Sequence, residues 1–71
     1  MTREFTVVIE RDSEGYFVAS VPSLPGCHTQ AKSRDALDVR VREAIALCLE
    51  TQGEPVQPLE LIGVERITVA A

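Results

Sequence analysis

Residues 4–11 run Glu-Phe-Thr-Val-Val-Ile-Glu-Arg, which puts Phe5, Val7 and Ile9 on one face of an extended chain and Thr6, Val8 and Glu10 on the other. That two-residue period predicts a first strand with one face turned to a core. The next four residues, Asp12-Ser13-Glu14-Gly15, predict a tight turn, with Asp and Ser suited to its start and Gly15 able to take a positive φ at its end. Residues 16–21 then return as a second, antiparallel strand of a hairpin. Val21-Pro22-Ser23-Leu24-Pro25-Gly26 is excluded from helix, because each proline removes a backbone donor and pushes the preceding residue towards extended geometry. A stiff, shaped loop is expected there. Residues 27–31 alternate again as a short third strand, with Cys27, Thr29 and Ala31 facing inward.

From Ser33 the period changes. Leu37, Val41, Ala44, Ile45 and Cys48 fall on one stripe of a helix, Arg34, Asp38 and Arg42 are spaced for i,i+4 charge contacts on another face, and Gly53 supplies the stop. Ser33 is placed to cap the first free amides, with Asp35 near the positive end of the helix dipole. Val39, Leu47 and Leu49 lie off that stripe, so the helix is more apolar around its circumference than packing on one sheet requires. These three residues are the candidate oligomer interface. Residues 54–58, carrying Pro55 and Pro58, read as an extended connector, and residues 65–69 alternate as a last strand with Ile67 and Val69 as core candidates. A helix joining two strands of one sheet makes a right-handed crossover, which places the last strand parallel to the first. The expected fold is α+β in two layers, β-β-β-α-β: a three-stranded antiparallel meander, a fourth strand beside the first, and one helix packed on the sheet.

Seventy-one residues allow a single domain, residues 1–71. A core of this size contributes roughly 3–5 kcal/mol, so self-association, as a dimer or tetramer, is expected to add support. The formal charge of −4 and a pI near 4.8 oppose phosphate and suit a basic protein partner, so no direct nucleic-acid binding is expected. No apolar run reaches the roughly 20 residues of a membrane span and no signal-peptide pattern opens the chain, which points to the cytoplasm and no membrane partner. The two cysteines, Cys27 and Cys48, lack the clustering of a zinc site and read as free thiols in a reducing compartment.

The segment Gly15-Tyr16-Phe17-Val18-Ala19-Ser20-Val21-Pro22-Ser23-Leu24-Pro25-Gly26-Cys27 resembles the signature of HicB-like antitoxins: a turn ending in Gly, an aromatic strand, then Pro-x-Leu-Pro-Gly-Cys. The resemblance covers nearly the whole chain and implies a partial ribonuclease-H-like fold that binds and neutralises a small basic, RNA-cleaving toxin of the HicA-like type. Two departures stand out. Ala31-Lys32-Ser33 replaces the family's frequent Gly-Asp-Thr, keeping only the hydroxyl cap, and the C-terminal DNA-reading module of many members is not expected in 71 residues.

No catalytic chemistry emerges from the residues, and no cofactor, metal or catalytic residue is expected. Asp12 and Glu14 belong to the hairpin turn, while Glu4, Glu10 and Glu65 have no clear convergence point, so the two-metal carboxylate site of true nucleases of that fold is not expected. Neighbouring strand residues point to opposite faces, which denies Cys27 the help of His28 as a base. Lys32, Arg34, Arg40 and Arg42 are interleaved with Asp35, Asp38 and Glu43, as in a solvated helix face. The proline loop is the feature open to two readings, a rigid connection or a recognition element. Pro22, Leu24, Pro25 and His28 are accordingly the candidate protein-binding residues, with Leu24 either a plug or an exposed contact. A homo-oligomeric adaptor of the same fold, without a toxin, is the alternative function.

Overall fold

The computed structural model describes residues 3–53 and 59–70. Three strands, β1 (Val8–Arg11), β2 (Phe17–Ser20) and β3 (His28–Ala31), form an antiparallel sheet in the order β1-β2-β3, followed by one helix, α1 (Arg34–Gln52). The chain is thus α+β, and the meander and the helix stand where alternation and the change of period put them.

Asp12 builds the β1-β2 hairpin. Its carboxylate oxygen Oδ1 accepts from the amides of Glu14 (3.0 Å) and Tyr16 (2.9 Å), and its own amide donates to the Tyr16 carbonyl (2.9 Å). A side chain considered for metal binding therefore has a local use in closing the turn. The register pairs Ile9 with Ala19 and Ala19 with Thr29, and Arg11 with Phe17 and Phe17 with Ala31. These two rows face α1, since Ala19 and Ala31 pack with Leu37 and Val41. The opposite face carries Val8, Ser20 and His28 in one row and Glu10, Val18 and Gln30 in the next.

The proline loop is two successive turns. The Leu24 amide donates to the Val21 carbonyl at 3.0 Å, the Cys27 amide to the Leu24 carbonyl at 2.9 Å, and the Val21 amide closes the loop on the Cys27 carbonyl at 3.0 Å. Pro22 and Pro25 each take the second turn position, where a fixed φ is already correct, and Gly26 follows Pro25 at φ +78°, a conformation that L side chains rarely adopt. The two turns drive Leu24 inward until it is 1% exposed, against Val21 and Cys27, with Phe5, Val7, Ala44, Ile45, Cys48 and Leu49 around them.

Ser33 caps α1 with its Oγ, which accepts from the Ala36 amide at 3.1 Å, and the Gly53 amide donates to the Leu49 carbonyl at 2.9 Å at the other end. The Asp38–Arg42 pair at 3.0 Å is exposed and worth roughly 0.3–0.5 kcal/mol, so burial rather than charge docks the helix. Its footprint covers β3 and β2 and leaves β1 outside.

The C-terminal segment departs from expectation. The proposed connector at 54–58 lies outside the described residues, and residues 59–70 form no strand. Ile67 and Val69, expected in the core, are 73% and 72% exposed, and Leu59, Leu61, Ile62 and Val64 are exposed with them. Alternation specifies that a segment can pair, but a strand also needs a neighbour that supplies its hydrogen bonds, and here the segment has none.

Candidate protein-binding surface

The turns and strands sort the candidate contact residues by accessibility. Leu24 is a plug: its side chain is inside the smaller core cluster and unavailable to a partner without unfolding the loop. Pro22 is half-buried, while Pro25 and His28 are exposed on either side of buried Cys27. Pro25 also anchors the end of α1, because the Gln52 side-chain amide donates to its carbonyl at 3.0 Å. His28 stands on the sheet face away from the helix, in register with Ser20. The loop and the outward face of β3 therefore present adjoining surface on a rigid frame.

The candidate oligomer residues divide similarly. Val39 is 58% and Leu47 60% exposed on the solvent side of α1, whereas Leu49 is half-buried and packs against Leu24's cluster. Leu49 is thus partly occupied within its own chain.

A feature that sequence periodicity did not reveal lies at the other edge of the sheet. Because α1 does not reach over β1, a cleft of about 70 Å³ opens between Val7 and Ile9 on one side and Leu37 and Val41 on the other, with Arg34 and Asp38 at its rim. Small-molecule pockets run to roughly 300–1,000 Å³, so this one has the scale of a side chain. A broader depression of about 500 Å³ lies between Tyr16, Gln30, Lys32, Ala36 and Arg40, where the Lys32 ammonium sits 5.7 Å from the centre of the Tyr16 ring. Its lining is mostly exposed and carries no paired acid and base.

The Cys27 thiol is chemically quiet. Burial, then the hydrogen bond to Cys48, then the charge that Cys48 would carry, push the Cys27 thiol up from 9.0 to about 11, so at neutral pH it holds its proton and is a poor nucleophile. Among the described residues no group of three or more His, Cys, Asp or Glu side chains is placed to hold a metal ion. Nor is any helix among them long and apolar enough to cross a membrane.

Three strands under one helix, with a two-turn proline loop joining β2 to β3, define the class, a small α+β domain. Comparison with known proteins gives that class a family. The sequence model described as the HicB-like antitoxin of bacterial toxin–antitoxin systems matches residues 5–67. The chain is 56% identical to a UPF0150 protein of Archaeoglobus fulgidus, over 93% of its own length and 94% of that protein's. It is 40% identical to a UPF0150 protein of Synechocystis, with 94% and 96% covered, and 37% identical to one of Thermoplasma acidophilum, with 96% and 99% covered. The chain belongs to the HicB-like antitoxin family.

Proposed function

We propose that this protein is a non-catalytic antitoxin that binds a small basic, HicA-like toxin and keeps it from RNA. The observation that carries this reading is the family match over residues 5–67, which takes in the hairpin, the proline loop and the helix together. The net charge of −4 supports it physically, since an acidic domain attracts a basic partner and repels that partner's RNA substrate. The contact is assigned to the exposed shoulder of the proline loop and the outward face of β3, with Pro25 and His28 inside it. Pro22 lies at its margin, and Leu24 holds the loop's shape from beneath.

The test is titration of the purified protein against any small basic protein encoded beside it, read by calorimetry and by RNA cleavage. Saturable binding that weakens with salt and suppresses cleavage is expected. A toxin that binds no antitoxin, or cleaves RNA at full rate while bound, refutes the assignment.

Exposed Val39 and Leu47 favour a second reading, a homo-oligomeric adaptor of the same fold that assembles through α1 and has no toxin. An assembly that forms normally but ignores the neighbouring basic protein would select this reading over the first.

A further inference from the structure

Residues 59–70 and the β1 edge are each incomplete in a complementary way. The odd-numbered positions of the tail, Leu59, Leu61, Ile67 and Val69, form an apolar row interrupted by Gly63 and Glu65, and all four apolar residues are exposed. Among the described residues β1 pairs with β2 alone, so its other edge offers them a row of unpaired backbone groups. Directly inside that edge is the cleft between Val7, Ile9, Leu37 and Val41. A strand laid along β1 would gain ladder hydrogen bonds and place alternate side chains into that cleft.

We infer that the strand is exchanged: residues 59–70 of one copy pair with β1 of a second copy, whose own tail returns to the first. In a swap the exchanged segment makes between chains the contact it would make within one, which sets it parallel to β1, as a right-handed crossover would. Two observations favour a second copy over the chain's own tail. The tail lies off its own β1, every described residue of it exposed. The Cα radius of gyration is 13.8 Å, against about 11 Å for a closed chain of this length. The tail is also no appendage, for the family match extends through it to residue 67.

The exchange is a property of the protein alone and stands apart from toxin binding. Equal amounts of copies labelled with ¹³C in their methyl groups and unlabelled copies are unfolded together, refolded, and studied by isotope-filtered NOE spectroscopy. Contacts passing between labelled Ile67 or Val69 methyls and Val7, Ile9 or Val41 of an unlabelled copy are expected, with a light-scattering mass of at least twice 7.8 kDa. The Ile67→Asp/Val69→Asp variant should fall to monomer mass at micromolar concentration while keeping its helical circular dichroism. The same contacts confined within one copy, tail methyls that touch neither β1 nor α1, or an undiminished oligomer of the double variant would each overturn the exchange. Exchanged tails in a protein that ignores the toxin would uphold it and remove the antitoxin reading alone.

Discussion

Truncating Leu24 separates the loop's structural role from a contact role. Leu24 is 1% exposed and is held by turns whose hydrogen bonds run from Val21 to Cys27, so Leu24→Ala leaves a cavity that this pinned backbone cannot collapse to fill. Leu-to-Ala changes in cores cost roughly 2–5 kcal/mol, and the rigid surroundings place this one at about 3 or more. A 71-residue domain has about 4–11 kcal/mol to lose, so a large share of the native state's stability is at stake. In melting temperature a loss of 3 kcal/mol corresponds to roughly 12–24 °C. Urea unfolding at matched protein concentration, followed by circular dichroism, measures the loss, since any self-association would make stability depend on concentration. Leu24→Met, which preserves volume, should cost under about 1.5 kcal/mol. A Leu24→Ala loss below about 1 kcal/mol with wild-type cooperativity would refute the plug, and with it the claim that the prolines are there to set a core residue.

Other changes follow from named contacts. Ser33→Ala removes the acceptor for the Ala36 amide and should cost about 1 kcal/mol in urea unfolding, with Ser33→Thr retaining most of it. Gly26→Ala meets open space but strains a backbone at φ +78°, so a loss of about 1 kcal/mol with unaltered spectra is expected; a neutral result would mean the turn is free to change type. Burial holds the Cys27 proton in the folded state up to about pH 11, while the unfolded thiol releases it near 9.0. The folded value is the higher one, so the contribution is intact below pH 9 and is lost as pH rises towards 11, by at most about 2–3 kcal/mol. Cys27→Ala should flatten that alkaline slope; an unchanged slope would assign it to other groups. At the proposed toxin contact, Pro25→Ala and His28→Ala together should weaken binding at least tenfold with the fold intact, as calorimetry would register.

The helix was legible because its signals are local. Ser33, Asp35, the 37-41-44-45-48 stripe and Gly53 each act within a turn or two, and no distant partner is needed to decide them. The hairpin was legible for the same reason, through Asp12 and Gly15. The strands came out shorter than their alternation, because Phe5 and Val7 pack on the core while standing outside the ladder, and a pattern of faces does not report hydrogen bonds. The proline loop had two sequence readings because composition shows its stiffness but not its direction. The two turn bonds from Val21 to Leu24 and from Leu24 to Cys27 supply that direction, and it is inward.

The tail marks where a single sequence stops being sufficient. Ile67 and Val69 have the alternation of a half-buried strand, and that pattern is the same whether the covering surface belongs to this chain or another. The crossover rule places such a strand beside β1 but is silent about whose β1 it is. Accessibility adds what periodicity lacks. Ile67 and Val69 are bare, the cleft beside Val7 and Ile9 is open, and Val39 and Leu47 are uncovered on the far side of α1. An exchanged tail accounts for the first two exposures with residues already present in the sequence. If the exchange holds, the partner's tail adds a strand beyond Val8 to the outward row of Val8, Ser20 and His28, so a toxin seated along that row meets two chains. Toxin affinity would then fall with dilution of the antitoxin itself, and the Ile67→Asp/Val69→Asp variant, with no change at Pro25 or His28, would bind more weakly.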